Sequence, residues 1–193
     1  MVASARYSRP RTTAKASVGN RLTLVLGGAR SGKSRYAESL FSARPPPWIY
    51  LATAEAGDDE MTARIEAHRA RRRGTQWRTI EAPRELVAAL TACKGSPALI
   101  DCLTLWLSNL LLADADIEPE IERLANTLTA AAIPIVLVAN EVGSGIVPDH
   151  PLGRRFRDFQ GILNQRVAAL ADCVVLMVAG LPLAVKGTLE RAS

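Results

Sequence analysis

The chain has 193 residues and a mass of 20.7 kDa, with 48% hydrophobic, 5% aromatic and 22% charged side chains, which suits one domain with a sizeable core and excludes general disorder. Its formal charge of +5 invites a polyanionic partner, but Arg6, Arg9, Arg11, Lys15 and Arg21 stand in an acid-free first 21 residues. The remaining 19 basic side chains meet 19 Asp and Glu, so the body is neutral and nucleic acid is not an expected partner.

In chain order, residues 1–21 are polar, carry no apolar face and read as a disordered basic extension. They hold no secretory apolar region, although their Arg, Ser and Ala content superficially matches a transit peptide. Residues 22–193 read as one domain. LTLVLG (22–27) is a short apolar strand, and SGKSRYAESLFSA (31–43) continues as a helix that PPP at 45–47 stops. WIYLATA (48–54) predicts the next strand. DDEMTARIEAHRARRR (58–73) predicts a helix, acidic at its start and basic at its end, as the helix dipole favours.

WRTIEAP (77–83) predicts a short strand, followed by a helix over 84–93 and the strand PALIDC (97–102). Helices are expected over 103–113 and 118–131, then the apolar strand IPIVLVAN (133–140) and a Gly/Pro-punctuated loop over 141–153. Phe156, Phe159, Leu163 and Val167 recur at helical spacing within 154–171, and CVVLMVA (173–179) is the last expected strand. Continuously apolar strands separated by helices predict an α/β domain of at least five strands, its mostly parallel sheet covered on both faces.

The run VVLMVAGLPLAV (174–185) contains Pro182 and is too short to cross a bilayer, so no membrane span is expected. Cys93, Cys102 and Cys173 lie far apart with no CxxC pair, which fits reduced thiols and a cytoplasmic protein.

GGARSGKS (27–34) matches G-x-x-x-x-G-K-[ST], with a strand before it and a helix after it. In such a loop Gly27, Gly28, Ala29, Arg30, Ser31 and Gly32 present backbone N–H groups to phosphate oxygens. Lys33 reaches the β- and γ-phosphates and Ser34 holds Mg²⁺, so a nucleoside triphosphate is the expected ligand. Asp101 ends a parallel strand and suits either Mg²⁺ association or capping of the helix after it. Asn140 and Glu141 stand where a guanine-reading NKxD motif would lie, but the lysine and aspartate are missing, which disfavours a simple GTPase. Glu141 suits a metal, a substrate or the fixing of the following loop.

His68 shares a helical stripe with Met61 and Ile65, the setting of an ordinary half-buried histidine. Around it Arg64, Arg69, Arg71, Arg72, Arg73 and Arg78 form an expected basic cluster able to hold several phosphates, beside which a histidine can attack phosphorus. His150, in a proline-flanked turn, is the weaker candidate and suits a structural role.

Taken together, LVLGGARSGKSRYAE, YLATAEAGDDEMTARIEAHRARR, LIDCLTLWLSNLL, VANEVGSGIVPDHPLGRRFRDFQGILNQRVAALAD and VVLMVAGLPLAVK resemble the bifunctional adenosylcobinamide kinase / adenosylcobinamide-phosphate guanylyltransferase family across residues 22–186. The resemblance implies a RecA-like P-loop NTPase fold, a homotrimer and two reactions. ATP or GTP phosphorylates adenosylcobinamide, and GMP then passes from GTP to adenosylcobinamide phosphate. His68 falls on the guanylyl-carrying position; many members have two adjacent histidines there, where this chain has Ala67 and His68. Lys33 and Asp101 are implied as catalytic, Ser34 and Asp101 as Mg²⁺-associated, and Gly27 to Ser34 with Glu81 as nucleotide-binding. Asn140, Glu141 and Gly143 match the motif without an assigned chemistry. A small P-loop kinase of another metabolite and a non-catalytic P-loop module are the competing readings.

Overall fold

The computed structural model describes residues 20–57, 59–93 and 95–190. Strands β1 (Leu22–Gly27), β2 (Trp48–Ala52), β3 (Trp77–Glu81), β4 (Ala98–Asp101), β5 (Ile135–Asn140), β6 (Cys173–Val178) and β7 (Leu181–Lys186) form one sheet in the order β3-β2-β4-β5-β1-β6-β7. All neighbours pair in parallel except β6 and β7. The helices are α1 (Lys33–Ser39), α2 (Asp59–Arg72), α3 (Leu86–Thr91), α4 (Leu103–Leu112), α5 (Ile117–Ala130) and α6 (Pro151–Leu170).

The continuous apolar character of β1 and β5 follows from covering both faces of the sheet. Leu22, Leu24, Leu51, Ile100 and Leu137 point into one core with α3 to α6. Val25, Tyr50, Leu99, Val136 and Val138 point the other way, into a smaller core with α1. Trp106 of α4 is fully buried in the larger core, and its indole N–H donates to the Arg84 carbonyl at 2.9 Å. This is the mostly parallel α/β sheet, covered by helices on both faces, that the sequence predicts.

Several boundaries differ from expectation for local reasons. Helix α1 ends at Ser39, well short of the prolines, and Ser39 and Ser42 hydroxyls donate to the Tyr36 and Ser39 carbonyls in the turns that follow. Helix α6 starts three residues early, because His150 caps it and Pro151 supplies a first-turn residue with no N–H to satisfy. The apolar run after Cys173 is two strands rather than one. Ala179 and Gly180 have φ of 51° and 83°, a reversal that needs left-handed backbone at both residues.

Residues 1–19 of the expected extension lie outside the described residues. Asn20 and Arg21 belong to the fold. The Arg21 guanidinium donates to the Leu128 and Ala131 carbonyls at 2.9 Å, satisfying the end of α5, and its carbonyl accepts from Ile135. Asn20 is tied to Thr188 and Glu190 at the other end of the chain.

Removing Trp106 would leave a large cavity at the centre of the helical layer. Trp106→Ala is expected to lower the unfolding free energy by about 3–5 kcal/mol, measured by urea titration.

Candidate active site at the carboxyl edge of the sheet

The phosphate loop leaves β1 at Gly27, between β5 and β6. A Cβ on Gly27 would lie 2.7 Å from both the Met177 carbonyl oxygen and the Ser31 hydroxyl, so only glycine fits. Gly32, with φ of 93°, turns the chain into α1. The Gly180 N–H donates to the Ser31 carbonyl at 3.2 Å, which buttresses the loop from the β6–β7 turn. Gly28, Ala29 and Arg30 form the exposed crest, where Arg30 has φ of 55°.

Lys33 is 8% exposed, and its ammonium donates to the Gly28 carbonyl at 2.6 Å, inside its own loop. Burial lowers its pKa below the usual lysine value, while the Asp101 charge partly offsets that shift. The structure thus brings the lysine into its loop and within electrostatic reach of the strand-end acid. Ser34 follows on α1, half-buried.

Asp101 does not cap α4. Cys102 occupies that position, and no side chain makes the cap bond. One carboxylate oxygen of Asp101 accepts from the Tyr50 hydroxyl at 2.8 Å. Burial, and secondarily the Asp101 charge, raises the Tyr50 pKa far above the usual phenol value, so the hydroxyl keeps its proton and stays a donor. Buried Thr53 clasps Cys102 on both sides, donating to its carbonyl and accepting from its N–H at 2.7 Å each. The same burial pushes the Cys102 thiol up to about 12, so it stays neutral.

Helix α4 stitches the strand ends together. The Asn109 amide donates to the Thr53 and Pro83 carbonyls at 2.8 and 3.0 Å, and the Thr104 hydroxyl accepts from the Asn140 N–H at 2.7 Å. From α6, Asn164 donates to the Asn140 carbonyl. Glu141 fixes the loop after it: its carboxylate accepts from the Gly143 N–H at 2.7 Å, while its own N–H donates to the Gly27 carbonyl. His150 takes the structural role, its Nδ1 accepting from the Leu152 N–H as the cap of α6.

His68 is half-buried on α2, on the stripe with Met61 and Ile65 as expected. The arginine cluster is corrected. Arg72, one turn further on, is 7% exposed, with its guanidinium 3.5 Å from the centre of the Tyr50 ring and 3.7 Å from Glu38. Arg78 lies on β3 in register with Ile49 and acts electrostatically on Cys93, on the opposite side of the sheet. Arg69 pairs with Glu81. The side chains of Arg64 and Arg71 lie outside the described residues. The described members of the expected phosphate-holding cluster are thus divided between a buried pin, an ion pair, the exposed Arg73 and the far face.

Between α2 and the ends of β2 and β3 lies a cleft of about 280 Å³, lined by Ala54, Glu55, Thr62, Glu66, Arg69 and Glu81 among others. Tyr50, Thr53, Arg72 and Asn109 are site-building residues that sequence reasoning missed. Of these, only Arg72 was named from the sequence, as one member of a phosphate-holding cluster rather than as a buried residue.

Residues 23–185 match the family model described as cobinamide kinase / cobinamide phosphate guanyltransferase. The bifunctional adenosylcobalamin biosynthesis protein CobP of Pseudomonas aeruginosa is 49% identical over 168 residues, covering 85% of this chain and 96% of its own. The CobU proteins of Salmonella typhimurium and Escherichia coli, both described as bifunctional adenosylcobalamin biosynthesis proteins, are 41% and 40% identical over 182 residues, with 86% and 99% coverage in each case. Among solved structures, a type III secretion system ATPase superposes with a TM-score of 0.49 at 11% identity, covering 85% of this chain and 56% of that one.

A methyl group at Gly27 would collide with backbone. Gly27→Ala is expected to weaken binding of a non-hydrolysable triphosphate at least about tenfold, measured by calorimetry, and to destabilise the fold by about 1–3 kcal/mol.

Proposed function

The chain belongs to the cobinamide kinase / cobinamide phosphate guanyltransferase family, and on that premise we propose that it carries out both reactions in cobalamin biosynthesis, in the cytoplasm. The observation that carries this reading is the assembled phosphate cradle, with Lys33 buried against Gly28 and Asp101 beside it. In the kinase step the hydroxyl of the aminopropanol arm of adenosylcobinamide attacks the γ-phosphorus of ATP or GTP. The bond to the β-phosphate oxygen breaks, the hydroxyl proton is released to water, and Lys33 neutralises charge on the phosphates.

The donor set suits Mg²⁺. A hydroxyl with one carboxylate completes a metal held mainly by phosphates. Ser34 and Asp101 would hold it, and when bound it supplies charge neutralisation. Tyr50 occupies one oxygen of Asp101 and leaves the other for the metal or its water.

In the second step a ring nitrogen of neutral His68 attacks the α-phosphorus of GTP. A P–N bond forms, the α–β bond to oxygen breaks and pyrophosphate leaves. The phosphate of adenosylcobinamide phosphate then attacks the same phosphorus, the P–N bond breaks and adenosyl-GDP-cobinamide departs. The cleft beside α2 supports this reading, since a carboxylate such as Glu81 can accept from the N1–H and N2–H of guanine. Three copies in a ring are part of the proposal, and the exposed Leu181, Leu183 and Val185 on β7 offer an apolar edge for contact.

The test uses Mg²⁺ and α-labelled GTP. The wild type is expected to take up acid-labile label that survives denaturation, and His68→Ala none; label persisting in His68→Ala would remove His68 as the nucleophile. In parallel, Lys33→Ala should lose at least about a hundredfold in phosphorylation of adenosylcobinamide. Activity near wild type would exclude the phosphate-loop role.

A further inference from the structure

Helix α2 is held to the body in an unusual way. Among its described side chains Arg72 alone is buried, and the others are exposed or half-exposed. An amphipathic helix normally docks by an apolar stripe. Here the side chain buried against the body is the charged group of the last residue, with the exposed Arg69–Glu81 pair three residues before it. The guanidinium stacks 3.5 Å above the Tyr50 ring, a cation–π arrangement, and lies 3.7 Å from Glu38 near the end of α1. Its Nε and Nη1 are buried without hydrogen-bond partners. For fold stability alone this is a poor choice, because an unsatisfied buried donor is costly and an apolar side chain would avoid it.

The contacts of Arg72 suggest what is gained. Tyr50, beneath the guanidinium, donates to Asp101 at 2.8 Å, and Glu38 belongs to the helix that begins at Lys33. His68 is one turn before Arg72 on the same stripe, about 6 Å along the axis. Tyr50 is therefore a common post, touching the acid of the phosphate site on one side and the pin of the histidine helix on the other.

We propose that Arg72 and Tyr50 are positioning residues that register His68 against the phosphate loop, so that both transfers use one frame. Arg72 sets the position of the histidine helix through its flat stack on Tyr50, and Tyr50 sets the rotation of the Asp101 carboxylate. This rests on the functional reading above. Lysine cannot replace Arg72, since it retains the charge but not the planar face.

Full-length wild type, Arg72→Lys and Tyr50→Phe are compared, with thermal unfolding as a check on folding. Arg72→Lys is expected to lose at least about tenfold more in the rate of His68 labelling at saturating GTP than in the kinase rate, because a small misplacement of a reacting group is costly. The GTP concentration for half-saturation should move less than the rate. Equal losses in both reactions, or no loss in a folded Arg72→Lys, would make Arg72 structural only and overturn the proposal.

Tyr50→Phe keeps the ring and removes the bond to Asp101. The Mg²⁺ concentration needed for half-maximal binding of a non-hydrolysable triphosphate, read by calorimetry, should rise about threefold to tenfold. An unshifted requirement overturns the proposal, even where Arg72→Lys fails to give a cooperative transition. A wild type without label at His68 would sink the guanylyltransfer reading instead, an outcome the calorimetric arm does not depend on.

Discussion

Backbone meets backbone at Gly27, and the phosphate loop depends on that approach. The Met177 carbonyl of β6 occupies the space a side chain would need, while on the β5 side the Glu141 N–H reaches the Gly27 carbonyl at 3.1 Å. The loop is thus gripped by both neighbours of its own strand before it curls. The β6–β7 turn completes the grip through Gly180 and Ser31, so a hairpin with no chemistry of its own shapes the nucleotide cradle. Left-handed backbone at Ala179 and Gly180 makes that turn tight enough to reach the loop.

Strand order determines what else can reach the phosphates. One strand, β5, lies between β1 and β4, so Gly27 and Asp101 are two strand spacings apart across the sheet, about 10 Å, and two residues apart along it. That gap suits phosphates and a metal rather than direct contact. Lys33 crosses part of it, drawn inward despite the desolvation that lowers its pKa. The strand ends would splay without support, because loops after parallel strands have no ladder partners. Asn109 and Thr104 of α4 supply those partners, which makes α4 both a core helix, through Trp106, and a brace for the site.

Where chemistry and backbone coincide in a short segment, sequence was a good guide. The phosphate loop, its flanking strand and helix, the apolar parallel strands and the strand-end Asp101 are all local patterns. Strand β7 was not legible, since its turn is Ala-Gly rather than the Asn-Gly or Asp-Gly that marks such reversals. Arg72 was misread for a different reason. Six arginines in fifteen positions look like a surface field, and nothing in their spacing shows which one turns inward. That depends on Tyr50 and Glu38, contributed by other elements. Glu141 and His150 had open roles in the sequence, and each makes a local fixing contact, with Gly143 and Leu152 respectively.

A buried arginine at the end of a polar helix reconciles two demands on α2. An apolar stripe along the whole helix would hold it firmly, but it would also bury the face that carries His68 and close the cleft beside Thr62, Glu66 and Arg69. A wholly polar helix would leave its orientation unset. Burying the last residue helps to fix the axis, alongside the Arg69–Glu81 pair, while His68 remains half-exposed one turn away. The unsatisfied donors on Arg72 are the cost of putting that fastening under the aromatic post, where a neutral side chain would pack but would not read the ring of Tyr50 or the charge of Glu38. On this view the residue contributes least where burial is usually counted, in stability, and most in where it leaves the histidine.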